Sequence, residues 1–289
     1  MLSCRWRASD SFGDLPGGTR QDKVRVPSVR MISWLSSVPA WLSPLLALSV
    51  ASASAPTVVK QHPFQAPLPS REARLAGPAT RAANLSPAAC RSRLQALDSG
   101  HSIVRAGETK GIATSVRITG PLGDLKMRVP GPKLPYGLLD CRLAVVLLEL
   151  APELSRAGVK ALNVDGFYRK GARLGGKKGK KSQHAYGLAI DLVTIEVTDP
   201  ATGQPVVLDV PRDFYGQRGE PPCGPDARIH PPDSASAADV RRSILLRNFV
   251  CQLARDGWFH HILTPNHDAA HESHLHLDIK RDSRWLSID

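Results

Sequence analysis

Three stretches of the chain carry apolar residues at helical spacing. The segment Pro87–Leu97 follows a serine suited to cap a helix and has proline at its first helical position. The segment 138–156 is strongly apolar and too long for a strand, and it predicts a core helix that bends or breaks at Pro152. A third helix is predicted to begin after Ser236 as N-cap and to stop at Gly257.

Strand patterns separate these helices. The stretch "IATSVRITGPLGDLKMRV" (112–129) predicts two short strands around a Gly-Pro turn, and "VKALNVDGFYR" (159–169) predicts another strand. "LAIDLVTIEV" (188–197) and "PVVLDV" (205–210) are typical of two strands joined by a turn, and "HLHLDI" (274–279) is the last strand. The combination predicts an α+β fold in which helices flank an antiparallel β-sheet.

The N-terminal part contains a secretory pattern. The stretch 31–56, "MISWLSSVPAWLSPLLALSVASASAP", is apolar and ends in Ala-Ser-Ala, which predicts a signal peptide cleaved after Ala53 or Ala55. Two prolines and several serines interrupt the run, so a transmembrane helix is the weaker interpretation. Translation starting near Met31 would explain the residues that precede the run.

Composition divides the chain into three parts. Residues 1–55 are interpreted as an N-terminal extension with the signal peptide. Residues 56–87 are rich in Pro, Ala and Ser without a sustained apolar period, which predicts a linker. Residues 88–289 are predicted to form the folded domain.

The charge of the chain limits the classes of molecule that it is expected to bind. Lys and Arg number 38 against 26 Asp and Glu, a net charge of +12 that suits nucleic acid, anionic lipid or an anionic cell-wall polymer. Aromatic residues make up only 5% and no zinc-finger pairing is present, which argues against nucleic acid. With the signal removed, no stable membrane insertion is expected. Peptidoglycan or another anionic wall polymer is the predicted partner.

Cysteine usage agrees with export. Removing the signal peptide also removes Cys4 and leaves an even number of cysteines, which predicts two disulfides. Three pairings are possible, and proximity along the chain mildly favours joining the first two and the last two. The remaining cysteines are Cys90, Cys141, Cys223 and Cys251. The third of them lies in a Gly- and Pro-rich loop insertion, 216–236, which it is predicted to staple.

Two short stretches carry metal-binding chemistry. "SQHAYGLAID" places His184 and Asp191 seven residues apart, and the "HLH" of the last strand places His274 and His276 on one face. Catalytic zinc takes three protein ligands and leaves a position for water. The first two residues and one "HLH" histidine supply that set. Such a metal lowers the pKa of water and polarises a carbonyl, which predicts hydrolysis.

These stretches resemble a known superfamily. The signature Ser-x-His-x-x-Gly-x-Ala-x-Asp of the D-Ala-D-Ala metallopeptidases and Hedgehog-type domains is matched by Ser182, His184, Gly187, Ala189 and Asp191. "HLHLDI" is similar to the closing His-x-His strand of that superfamily. More narrowly, residues 90–279 resemble bacterial extensin-like C-terminal domain proteins, through "CRSRLQAL", "LLDCRLA", "GFYR" and "NFVCQLA" as well. The resemblance implies a zinc peptidase-like fold.

The resemblance also implies roles for individual residues. His184, Asp191 and His276 are the implied Zn²⁺ ligands, and Ser182 is implied to support the site by hydrogen bonding. Arg169, in "GFYR", is implied to stabilise the oxyanion or to bind a substrate carboxylate, a task that suits its planar fork.

The general base has two candidates. In the dipeptidase branch a glutamate lies three residues before the last ligand, whereas here Ser273 holds that place and Glu272 lies one residue further away. On an extended strand, a shift by one residue turns a side chain to the other face unless the chain bends. His274 lies where the superfamily has a second-shell or proton-transferring histidine, so Glu272 and His274 are both candidates.

Lysine and histidine residues are frequent in the sequence around the two motifs. "GGKKGKK" (175–181) is either a solvated loop or a basic lip that attracts an anionic polymer. Further histidines crowd the approach to "HLH" and are expected to lie mostly at the surface, with one able to orient a ligand. They are His260, His261, His267 and His271.

Together these expectations indicate a protein of the bacterial cell envelope. The predicted function is that of an exported zinc-dependent peptidase or carboxypeptidase of peptidoglycan, in the periplasm or outside the cell, that hydrolyses amide bonds to D-amino acids. The alternative is a non-catalytic wall-binding module that zinc stabilises, since an intact ligand set does not guarantee turnover.

Overall fold

The computed structural model describes residues 62–129, 137–175 and 178–289, which fall within one compact unit, Thr57–Asp289. The predicted signal peptide, Cys4 and the possible start at Met31 lie outside the described residues. In the described part of the chain, no helix is both long enough and apolar enough to span a membrane.

The described residues contain six α-helices. They are α1 (Arg71–Leu75), α2 (Pro78–Ala83), α3 (Pro87–Leu97), α4 (Cys141–Arg156), α5 (Val210–Asp213) and α6 (Ala237–Arg255). The predicted bounds of α3 are confirmed, and Ser236 forms a capping box with Asp239 at the start of α6. The helix predicted over 138–156 begins later, because residues 138–140 form a strand. It continues through Pro152, since buried side chains on both sides of the proline anchor it in the core.

The strands of the described residues form two sheets. They are β1 (Ile103–Arg105), β2 (Ser115–Ile118), β3 (Lys126–Arg128), β4 (Leu138–Asp140), β5 (Val159–Gly166), β6 (Ala189–Thr198), β7 (Pro205–Asp209), β8 (His261–Leu263), β9 (Leu275–Asp278) and β10 (Ser287–Ile288). The small sheet has the order β1-β2-β4, and the large one has the order β10-β8-β9-β6-β5-β3 with β7 also beside β6. Two neighbouring pairs, β3 with β5 and β10 with β8, are parallel, and the others are antiparallel. The architecture is compatible with the predicted α+β class.

The two strands predicted in 112–129 belong to different sheets. β2 pairs with β1 and β4 in the small sheet, whereas β3 pairs with β5 in the large one. A tight turn bridged by Leu122 and Leu125, both buried, redirects the chain between them. The predicted strands therefore exist but do not form a hairpin.

The long strand β6 organises the large sheet around the candidate site. One edge of β6 pairs with β5, and the other edge is shared by β9, along 189–192, and β7, along 194–198. The β6–β7 pairing confirms the predicted two-strand unit. In the β6–β9 register Asp191 lies directly opposite His276, so the sheet itself brings together residues that are 85 positions apart in the chain.

The segment predicted as a linker, 56–87, is instead folded from residue 63 onward. A short 3₁₀ helix, Pro63–Gln65, buries Phe64, and α2 buries all three of its alanines against the core. The backbone N–H of Ala79 donates to the carbonyl of Gly257, beyond the end of α6. A composition of Ala and Pro is typical of linkers, but alanine is also the best helix former and proline suits the first helical position.

Two disulfides tie the helices to their surroundings. Cys90 on α3 is bonded to Cys141 at the start of α4, and Cys223 in the loop insertion is bonded to Cys251 on α6. The pairing that proximity favoured is confirmed. The second bond confirms the predicted staple, because it fixes a stretch that contains no helix or strand.

A buried arginine also holds the loop insertion. Arg247 on α6 is fully buried and donates hydrogen bonds to the backbone carbonyls of Phe214, Pro222 and Arg228. Burial lowers the pKa of its guanidinium to about 10. A buried cation is tolerated when its N–H groups are hydrogen-bonded, so the insertion is folded around this side chain. The same insertion carries Arg218, which forms an ion pair with Glu272.

Candidate metal centre

Two strands and one turn supply the three predicted ligands. Asp191 and His276 come from the paired strands β6 and β9, and His184 comes from the 3₁₀ turn Gln183–Tyr186 just before β6. Ser182 caps this turn, since its Oγ accepts the backbone N–H of His184. Gly187 ends the turn with a φ of +66°, and a Cβ there would lie 2.8 Å from the backbone N of Asp140. Only glycine therefore allows the turn to return the chain to β6.

The three ligand atoms form a nearly equilateral triangle. His184 Nε2 lies 3.0 Å from Asp191 Oδ1 and 3.1 Å from His276 Nδ1, and the last two atoms are 3.1 Å apart. All three residues are buried. Tetrahedral zinc with bonds of about 2.0–2.1 Å separates its ligand atoms by about 3.4 Å. A small expansion of the triangle would accommodate an ion of this size.

The hydrogen bonds behind the two histidines determine which nitrogens face the centre. His184 Nδ1 donates to the carbonyl of Phe167 at 2.6 Å, and His276 Nε2 donates to Asp278 Oδ2 at 3.2 Å. The other nitrogen of each ring therefore directs a lone pair at Asp191 Oδ1. Three acceptors about 3 Å apart repel one another unless a cation lies between them, either a proton or a metal ion. The donor set thus fits a metal.

Charged side chains form hydrogen bonds with the predicted ligands from behind. Asp278 accepts from His276 and also from His261 Nδ1 at 2.7 Å. Arg169 Nη2 donates to Asp191 Oδ2 at 2.7 Å, which leaves Oδ1 directed at the centre. Outer partners of this kind orient metal ligands and raise their basicity. Asp278 lies two residues after His276 and so shares its face of the strand, but no role was predicted for it from the sequence.

The electrostatics of the cluster favour a bound cation. Burial acts to raise the pKa of Asp191, but its close polar contacts with the His184 and His276 rings outweigh burial and hold that pKa far below its usual range. Burial likewise opposes the charged form of His276, but hydrogen bonds to Asp191 and Asp278 raise its pKa to about 9. The pKa of Asp278 is lowered in spite of burial by hydrogen bonds from His261 and His276. Without metal, the cluster therefore holds a proton at neutral pH.

The two candidate bases lie in different places. His274 Nε2 lies 3.5 Å from Asp191 Oδ1, and burial lowers the pKa of His274, which favours a neutral imidazole. Glu272 is exposed and forms an ion pair with Arg218 from the loop insertion. Its backbone is helical, with φ −59° and ψ −28°, because it caps the 3₁₀ turn Ala269–His271. The structure therefore does not bring Glu272 to the cluster, and its candidacy as base is not supported.

His271 is one of the histidines expected to crowd the approach to "HLH". Its ring centroid lies 5.3 Å from that of His274 and 5.8 Å from that of His276, so it borders the cluster. His260, by contrast, is packed away from the cluster, where Thr80 and the backbone N–H of Lys280 bond its ring and burial lowers its pKa to about 4.

A broad groove adjoins the cluster without including it. The groove encloses about 1180 Å³ and is lined by α3, β1 and residues 105–116, none of which is a ligand. The Tyr168 hydroxyl donates to the carbonyl of Lys110 at 2.8 Å, which fixes the groove wall to the segment that carries Arg169. Arg91 and Arg105 are exposed among its lining residues.

The interpretation of the cluster depends on its own geometry. No protein-family model matches the chain, and no curated protein or solved structure is similar to it at a significant level. A candidate metal-binding group of His184, Asp191 and His276 is present in the structure.

Proposed function

We propose that this chain is an exported zinc-dependent hydrolase that cleaves amide bonds to D-amino acids in peptidoglycan. The observation that carries the proposal is the buried triangle of His184 Nε2, Asp191 Oδ1 and His276 Nδ1, with sides of 3.0–3.1 Å. The two disulfides support export, because such bonds persist in oxidising compartments.

The donor set favours zinc over other divalent ions. Two imidazole nitrogens and one carboxylate oxygen form a borderline set that zinc accepts readily, whereas Mg²⁺ and Ca²⁺ prefer oxygen ligands. Three protein ligands are the number found in catalytic zinc sites, which keep a further position open. Bound there, zinc supplies Lewis acidity that polarises a substrate carbonyl.

Two side chains beside the ligands carry the remaining roles. His274, neutral and 3.5 Å from Asp191 Oδ1, accepts the proton of the attacking water. The guanidinium of Arg169 is half exposed, and its fork has further donors besides the one that engages Asp191. These donors bind the developing oxyanion or a substrate carboxylate.

Surface charge supports an anionic polymer as substrate. Lys178, Lys180 and Lys181 are exposed on the turn that leads into the His184 segment, and Arg91 and Arg105 line the adjoining groove. The chain as a whole has a net charge of +12. Attraction of this kind is screened by salt, so binding to wall polymer is expected to weaken as ionic strength rises.

A wall-binding module is the second candidate. It is favoured by one observation, the absence of Glu272 from the cluster, since this removes the carboxylate base that the sequence suggested. In this case zinc stabilises the fold and the basic surface binds the wall without cleavage.

Incubation of zinc-loaded protein with purified peptidoglycan, followed by mass spectrometry of the fragments, tests the proposal. We expect cleavage that falls by about 10²–10⁴-fold in His274→Ala, the contribution of a general base, while zinc content is retained. Glu272→Gln is the matched control and is expected to cleave like the parent chain. Stoichiometric zinc without any cleavage would overturn the hydrolase, and co-sedimentation of that protein with peptidoglycan would favour the binding module.

A further inference from the structure

A second group of two histidines and one aspartate lies beside the first. His267, Asp268 and His271 each offer a ligand atom within 4.8 Å of the others, and in the described ranges only this group and the buried one meet that criterion. The side chains of His267 and Asp268 are 38% and 50% exposed, whereas that of His271 is 16% exposed. We call these three residues the surface cluster.

Part of the surface cluster is already held in place. Asp268 Oδ1 accepts the backbone N–H groups of Ala270 and His271, and it also accepts His271 Nδ1–H at 2.6 Å. The second carboxylate oxygen, Oδ2, lies 3.7 Å from His267 Nε2. One oxygen thus orders the turn, and the other faces a histidine nitrogen at the surface.

The surface cluster also contacts the buried centre. The rings of His267 and His271 lie 5.4 Å apart, and the ring of His271 is 5.8 Å from that of the ligand His276. The roles proposed for His274 and Arg169 use neither His267 nor Asp268. The surface cluster therefore has ligand chemistry that the proposed function leaves unexplained.

We infer that His267, Asp268 and His271 bind a second divalent cation of the zinc type, more weakly than the buried site. The donor set repeats the two imidazoles and one carboxylate of the buried triangle, which suits zinc. Binding is weaker because two of the three side chains are exposed and His267 must be immobilised on binding. The ion enters from solvent and lies next to His276. This inference does not depend on the hydrolase proposal.

Equilibrium dialysis of the full chain against buffered free Zn²⁺, with elemental analysis, tests the inference. We expect two bound ions at high free Zn²⁺ and one at low free Zn²⁺. His267→Ala and Asp268→Asn should each weaken the second step by at least about tenfold and leave the first step unchanged. Asn at 268 keeps an acceptor for the turn but loses the charge, so the fold of the turn is retained. His184→Ala should lose the tight step and keep the weak one.

His230→Ala provides the matched control. His230 is partly exposed, pairs with Glu220 and belongs to neither cluster, so its loss should leave both steps in place. Retention of the tight ion in the same sample shows that a variant is folded. One bound ion at all free Zn²⁺ levels in the parent chain would overturn the inference, as would a second ion that survives both His267→Ala and Asp268→Asn.

Discussion

The buried and surface clusters contain the same residue types and differ in what lies behind them. Each buried ligand has a fixed partner, namely the Phe167 carbonyl, Arg169 or Asp278. In the surface cluster the turn backbone and the ring of His271 hold Asp268, whereas His267 remains exposed. On this comparison, residue type limits which metals can bind, whereas packing and hydrogen bonds to the ligands set how tightly a metal is held.

The largest expected effect is on thermal stability. Zn²⁺ at about 1,000 times the dissociation constant of the buried site stabilises the fold by about 4 kcal/mol. For a domain of this size that raises Tm by roughly 10 °C, measurable by calorimetry. The rise should vanish in His184→Ala and persist in His267→Ala. A rise lost only in His267→Ala would reverse the ranking of the two clusters.

Without metal, stability should depend on pH through His276. Its pKa is raised from 6.5 to about 9, so the protonated ring stabilises the fold fully below pH 6.5, and this contribution is lost as pH rises through 9. The loss amounts to about 3 kcal/mol and is measurable by denaturant unfolding at pH 6.5 and pH 10. Zinc-loaded protein should not lose it, because the metal replaces the proton. Equal stability of the metal-free protein at both pH values would contradict the proposed charge state of the cluster.

A smaller effect should follow from removing one outer partner. Asp278→Asn keeps the shape of the side chain but removes the charge that accepts the His276 Nε2–H and the His261 Nδ1–H. We expect zinc affinity at the buried site to fall by about 10–100-fold in a chelator competition assay. The weak second step should be unchanged. Unaltered affinity would show that outer support does not explain the difference between the clusters.

The smallest effect is expected for Glu272. It pairs with Arg218 at the surface, where both side chains are more than half exposed. Exposed ion pairs contribute little to stability, so Glu272→Gln should leave Tm within about 2 °C and zinc affinity unchanged. A loss of bound zinc in this variant would place the side chain in the metal centre, contrary to the ion pair seen in the structure.

Much of the fold could be predicted from local patterns. The caps at Ser86 and Ser236, the apolar period of α3 and the alternation of β5, β6 and β9 all depend on residues near one another in the chain. Such signals fail where the structure of a segment depends on contacts with residues distant in the chain. The composition of residues 63–83 is typical of a linker, but α2 packs against the core. The pattern of β2 and β3 is typical of a hairpin, but each strand pairs with a different sheet.

The candidate site, like the fold, could be predicted only in part from local patterns. Local patterns indicated His184, Asp191 and one histidine of the "HLH" strand as ligands, because a strand directs alternate residues to one face, and the choice of His276 came from the superfamily resemblance. The exposed position of Glu272, and the contacts of Asp278 and the Phe167 carbonyl with the ligands, became evident from the three-dimensional structure. Glu272 is turned outward by the helical backbone that follows the 3₁₀ turn. The loop insertion is held by hydrogen bonds from Arg247, and the ligands are brought together by the pairing of β6 with β9. Contacts of this kind join residues that are distant in the chain, so no local pattern predicts them.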